Sequence, residues 1–171
     1  MKLYAAPLDF RAIAAEFSVA TDFPAAVTHQ AAHAQDRYAD SRRDARDIPV
    51  VTLDPAGSMD LDQAVYLEKR DGGYRVFYAI ADVAAFIEPG SELERESFRR
   101  SQTIYLPDAP ARLHPPELSE DRASLLPKTD KPAVLWTFDL DDAGEVESFH
   151  VERALIYSQA RLDLSLIHIS E

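Results

Sequence analysis

Residues 50–81 read VVTLDPAGSMDLDQAVYLEKRDGGYRVFYAIA. Val50-Val51-Thr52-Leu53 has the β-branched, apolar character of a short buried strand. Ala64–Arg70 and Tyr74–Ala81 are two further strand-like runs, joined by Asp71-Gly72-Gly73, a hairpin turn signal. Between the first strand and the hairpin lies a Gly- and Pro-containing loop, Asp54-Pro55-Ala56-Gly57-Ser58-Met59-Asp60-Leu61-Asp62-Gln63. Strand, acidic loop and hairpin set a sheet-based fold and place the chemistry at a sheet edge.

Outward from this stretch the pattern stays strand-rich. Ser91 and Glu94 stand in capping-box spacing and open a charged helix to about Arg100. Thr103–Leu106 reads as a short strand. Residues 107–127 form a Pro-rich irregular loop with a short helix near 116–122. Ala133–Leu140 and Glu145–Tyr157 form a second hairpin about Asp141-Asp142-Ala143-Gly144. Trp136 within it is read as core. On the N-terminal side, residues 8–17 place Leu8, Ile13 and Phe17 on one helical face. Thr21-Asp22 before Pro24 caps a second helix expected to run to about Arg46, with Arg42, Arg43 and Arg46 at a solvated helix end. The fold class is α/β or α+β: a strand-rich mixed or antiparallel sheet with inserted helices.

The 171 residues carry 18 Lys and Arg against 30 Asp and Glu, a net charge of −12. Without cysteine there is neither a disulfide framework nor a zinc-thiolate site. No apolar run approaches the roughly 18–20 residues of a membrane span. No signal-peptide core is legible, so the expected location is cytoplasmic. Acidity argues at first against nucleic acid, whose phosphates are normally met by Lys and Arg. The excess is local, however: residues 1–47 hold six basic and seven acidic side chains, residues 48–163 twelve and twenty-two.

Asp54, Asp60 and Asp62 are the reason to look closer. A hard cation such as Mg²⁺ takes oxygen ligands and keeps waters for a substrate phosphate. Asp60 and Asp62 are spaced i, i+2. If Leu61 is buried, extended backbone turns both carboxylates to the open face. Read from the residues alone, the same loop is also compatible with a solvated acidic turn. A calcium loop fits poorly, because Ala56 and Ser58 stand where alternating ligands are needed. The Asp60-Leu61-Asp62 triplet would also suit a metal-dependent sugar-nucleotide transferase.

The run Thr52–Ala64 resembles the signature of the RNB domain, the catalytic domain of the RNase II and RNase R exoribonucleases. The resemblance continues in order through Ala79-Ile80-Ala81-Asp82-Val83, Pro89-Gly90-Ser91, Tyr105-Leu106-Pro107, Leu113-His114-Pro115, Leu118-Ser119, Ser124-Leu125, Arg153-Ala154-Leu155-Ile156 and Ser158-Gln159-Ala160-Arg161-Leu162. It implies a Mg²⁺-dependent enzyme that removes nucleotides from the 3′ end of single-stranded RNA and releases 5′-monophosphates. It implies metal roles for Asp54, Asp60 and Asp62, with Asp62 the most sensitive catalytic position. It implies RNA contacts from Tyr105, by stacking, and from Arg112 and His114, which also read as solvated loop side chains. Asp82 is compatible with a supporting role beside the site or with a hydrogen-bonded strand end. The family's fourth aspartate falls at Gln63, a neutral and weaker ligand, which leaves a weakened RNA-binding protein as the alternative.

The resemblance covers residues 48–163. Residues 1–47 are expected to be a helical lead-in. Residues 164–171, Leu-Ser-Leu-Ile-His-Ile-Ser-Glu, resemble a translated sequencing adapter and are read as a non-native tail. The expected parent is longer, carries the basic RNA-binding wall beyond Asp163 and needs no obligate protein partner; the fragment alone is expected to be inactive.

Overall fold

The computed structural model describes residues 10–163 and divides them into two compact units. The larger unit takes residues 34–86 and 117–163. Its seven strands are β1 (Arg43–Asp44), β2 (Val51–Leu53), β3 (Gln63–Arg70), β4 (Gly73–Ala81), β7 (Asp130–Asp141), β8 (Val146–Tyr157) and β9 (Arg161–Leu162). They lie in the order β1-β8-β7-β4-β3-β2-β9. The short edge strands β1 and β9 pair parallel, and every other pairing is antiparallel. The expected strand-rich mixed sheet is what forms.

The two hairpins are built as their turns predict. Gly73 has φ +155, and a Cβ there would collide with the carbonyl oxygen of Leu140 on the neighbouring strand. Only glycine lets β4 pair with β7 from its first residue. One face of the sheet carries the core: Phe77, Ala79, Ala133, Leu135, Ala154 and Ile156 pack with Ile48, Val50, Leu61 and Leu125. Alternation along β7 sends Ala133 and Leu135 to that face and Trp136 to the other. Trp136 is therefore not core, as its sequence suggested. It is half-buried and stacks on Phe138 and Phe149, at centroid distances of 5.9 and 6.0 Å.

The smaller unit takes residues 10–33 and 87–116. It holds α1 (Arg11–Glu16), α2 (Ala25–His33), α3 (Glu92–Arg100) and the two-residue strands β5 (Ile104–Tyr105) and β6 (Pro110–Ala111). The start of α3 follows the capping signal: Ser91 Oγ accepts from the Glu94 amide, and the Glu94 carboxylate reaches back to the Gly90 amide. Two helix expectations need correction. In α1 the buried residue is Ala14, while Ile13 and Phe17 are 45% and 70% exposed. Leu8 lies outside the described residues. The short helix expected near 116–122 forms over those residues, with its last five, Leu118–Arg122, in π-type geometry.

The second correction is the helix expected to reach Arg46, which stops at His33. Beyond it, Asp36 accepts a turn-forming bond from the Tyr38 amide, and β1 joins β8. Arg42 is not at a solvated helix end. Its side chain is 2% exposed, and its guanidinium donates to Asp36 (2.5 and 2.8 Å), Asp82 (2.9 Å) and the carbonyl of Ala133 (3.3 Å). Arg153 bonds the same Asp82 carboxylate at 3.0 Å and lies over the Tyr38 ring at 3.9 Å. Long-range charge pairing has overridden a local Ala-rich helix preference. Residues 164–171, expected to be a non-native tail, lie outside the described residues. Among the described residues no helix is long and apolar enough to cross a membrane.

Candidate functional site

The acidic loop joins β2 to β3 within the sheet unit. Asp54 leaves β2 with its amide donating to Leu162 of β9 at 3.0 Å. A turn follows, closed by the Ser58 amide on Pro55 O, with Gly57 at φ +91. The chain then runs back past Asp60, Leu61 and Asp62 into β3. Leu61 is fully buried in the core, while Asp60 and Asp62 are exposed. Burying one leucine side chain contributes about 1.5–3 kcal/mol. That anchor fixes which face the two flanking carboxylates take.

Four hydrogen bonds hold this stretch from outside it. Ser124 Oγ accepts from the Leu61 amide at 3.0 Å and donates to the Met59 carbonyl at 2.6 Å. The Leu125 amide donates to Leu61 O at 2.7 Å. The Ala81 amide, at the end of β4, donates to Asp62 O at 2.9 Å. The backbone of the loop is thus bound to the π-type turn's exit and to a central strand, leaving the carboxylates outward.

Electrostatics mark the loop as unusual. Burial pushes the Asp54 carboxyl above its ordinary range, and the charges of Asp62 and Asp60 push it further; Arg161 opposes them. Arg161 itself donates to Ser58 O at 2.6 Å. Among the described residues, no Lys, Arg or His side chain forms an ion pair with Asp54, Asp60 or Asp62. Nor do any three His, Asp or Glu side chains converge into a preformed metal-binding group among the described residues. The donor set is all carboxylate oxygen, which suits a hard cation that retains water rather than one held in a closed protein cage. Asp54 and Asp62 line a pocket of about 220 Å³ together with Gln63, Tyr78, Val51 and Leu53.

Gln63 begins β3, and its side-chain oxygen accepts a hydrogen bond from the Tyr78 hydroxyl. Its carboxamide is therefore engaged across the sheet. Tyr78, Ser124 and Arg161 are residues the sequence did not single out for the site. Ser124 and Arg161 were visible only as letters within the wider resemblance, and Tyr78 only as one aromatic among several in a strand.

The three expected RNA contacts belong to the other unit. Tyr105, in β5, is 77% exposed. Arg112 and His114 follow β6 and are partly buried. Burial pushes the His114 imidazole below its ordinary value of 6.5, leaving it largely neutral at pH 7. A neutral ring serves as a hydrogen-bonding group rather than a cation.

A family profile, the RNB domain, matches residues 42–168. Ribonuclease R of Acidithiobacillus ferrooxidans is 40% identical over 120 residues, which is 70% of this chain and 27% of that protein. Among solved structures, Mycoplasma genitalium RNase R in complex with double-stranded RNA superposes with a TM-score of 0.87 at 27% identity, over 92% of this chain and 29% of that one. The same enzyme in complex with ribose-methylated single-stranded RNA gives 0.87 at 27% identity, over 92% of this chain and 25% of that one. The chain thus spans less than a third of the length of each of these relatives.

Proposed function

Since this chain belongs to the RNB domain family, we propose that it supplies the metal-holding part of a 3′-to-5′ exoribonuclease that hydrolyses single-stranded RNA to 5′-nucleoside monophosphates. The observation that carries this reading is the treatment of Asp54, Asp60 and Asp62. They share one loop, they have no ion-pair partner among the described residues, and burial together with the charges of Asp62 and Asp60 raises Asp54. Repelling carboxylates on a pinned loop are costly unless a cation joins them. The RNA complexes named for the Mycoplasma relative support RNA as the ligand class.

Asp54, Asp60 and Asp62 would hold Mg²⁺, which supplies polarisation of a scissile phosphate and activation of water when bound. The chain's own part is positional. The buried Leu61 turns Asp60 and Asp62 outward, and the Ala81 amide fixes the backbone of Asp62. Asp62 is the position whose loss should be most damaging. The exposed ring of Tyr105 offers a stacking surface worth about 1–3 kcal/mol per base, indifferent to base identity. Arg112 and His114 are further candidates for RNA contact.

The test uses the full-length protein that contains this chain, 5′-labelled single-stranded RNA and Mg²⁺. Progressive shortening from the 3′ end, lost in Asp62→Asn, is expected. No shortening by either protein overturns the enzyme reading. Residues 1–163 alone are expected to turn over no RNA.

Gln63 favours a second reading, an RNB protein that binds RNA and cuts it weakly. Its amide oxygen is held by Tyr78, and an amide carries no charge for a cation. Under this reading Gln63→Asp raises cleavage sharply; under the first, it changes cleavage little. The sugar-nucleotide alternative has no support outside the Asp60-Leu61-Asp62 triplet.

A further inference from the structure

We propose that Ser124 is a positioning residue for the acidic loop, setting the direction of the Asp60 carboxylate by holding the backbone on both of its sides. The inference rests on the metal reading of Asp54, Asp60 and Asp62 and adds to it a residue that touches neither metal nor RNA.

A single hydroxyl makes both bonds. Ser124 Oγ accepts from Leu61 N–H at 3.0 Å and donates to Met59 C=O at 2.6 Å. These are the peptide groups flanking Asp60, so the dihedrals on either side of that residue are constrained through one atom. The next residue repeats the grip, with Leu125 N–H on Leu61 O at 2.7 Å. Ser124 is 2% exposed, so water does not readily substitute for the hydroxyl. A hydroxyl can donate and accept at once, which alanine cannot do and a thiol does weakly. Unlike the exposed Asp60, Ser124 is buried. It sits between Ala123 and Leu125, at 1% and 0% exposure. The geometry is that of a buried element holding an exposed, charged one. Ordering the loop before a cation arrives removes a cost from binding. Removing groups that orient metal ligands typically costs about 10–100-fold in metal affinity.

A buried serine can also serve only to satisfy its own hydroxyl, and Ser158 is the internal comparison. It is 1% exposed, in the same unit, and its Oγ bonds the carbonyl of Ala160 at 3.3 Å, two residues away. Its hydroxyl makes one local bond and touches no part of the acidic loop in the bonds described.

The experiment measures Mn²⁺ binding to the 171-residue chain by electron paramagnetic resonance, with thermal unfolding and Leu61 amide exchange on the same samples. Ser124→Ala should weaken Mn²⁺ binding about 10–100-fold and release the Leu61 amide to exchange, and Ser124→Cys should fall between it and wild type. Ser158→Ala should leave Mn²⁺ affinity unchanged. If Ser124→Ala fails to fold, the graded loss in Ser124→Cys carries the test. Wild-type affinity in Ser124→Ala, or an equal loss in Ser158→Ala, overturns the role of Ser124 alone. A wild-type chain with no Mn²⁺ affinity, indifferent to Asp60→Asn, overturns the metal reading and this inference with it.

Discussion

Two sets of aspartates in the sheet unit are handled in opposite ways. Asp36 and Asp82 are paired with Arg42 and Arg153, and Asp82 is 3% exposed inside that network. Asp54, Asp60 and Asp62 face a 220 Å³ pocket or solvent with no described ion-pair partner. Arginine is not scarce in this unit, since Arg161 reaches the loop and spends its bond on a backbone carbonyl, Ser58 O, instead. In an acidic chain, structural carboxylates are neutralised by guanidinium groups. The candidate site keeps its charge available and takes its order from backbone and hydroxyl bonds. The two sets also meet along the chain: Ala81 holds Asp62, and the next residue, Asp82, is held by both arginines.

The largest break in this contrast is Arg42→Met. It strands the Asp36 and Asp82 carboxylates with one remaining guanidinium, and removing one partner of a buried pair costs about 3–5 kcal/mol. Urea unfolding should show that loss; a change below about 1 kcal/mol would mean that the network contributes little beyond satisfying itself.

The helical unit offers a pH test of the pairing strategy. Hydrogen bonds from Arg99, opposed by burial and reinforced by Arg100, hold the Glu96 carboxyl at about 2, below its ordinary 4.5. A depressed value means the folded state prefers the charged form. Its stabilisation is full above pH 4.5 and is lost as pH falls from there through about 2. Glu96→Gln should lower the neutral-pH melting temperature and flatten the acid limb in that window. An unchanged acid limb would show that the pairing is not felt in folding.

The smallest effect is expected where charge is left unpaired. Asp60→Asn removes repulsion and breaks no described ion pair, so stability should change by no more than about 0.5 kcal/mol, with any change favourable. A loss above about 1.5 kcal/mol would place Asp60 among the structural carboxylates and erase the contrast.

The parts legible in the sequence are those whose cause is local. The hairpin at Asp71-Gly72-Gly73, the Ser91 cap and the outward turn of Asp60 and Asp62 about Leu61 each need only a few neighbouring residues, and each stands in the structure. The failures have distant causes. The helix expected to run to Arg46 ends early because Arg42 finds Asp82, 40 residues on. Trp136 reads as core because both faces of its strand are apolar, and alternation alone does not say which face is covered. Within the site, the acid spacing was readable, whereas the Tyr78 bond to Gln63 and the Ser124 bonds to Met59 and Leu61 join positions that no periodicity links.

That distance has a consequence in time. Ser124 follows Leu61 by 63 residues and Met59 by 65. At roughly 5–20 residues per second, a ribosome makes the acidic loop about 3–13 seconds before the serine that shapes it. Closing such a span is entropically slow compared with forming the hairpin at residues 71–73. For that interval the segment carrying three like charges lacks the hold of Ser124 and Leu125, and its final form waits for them.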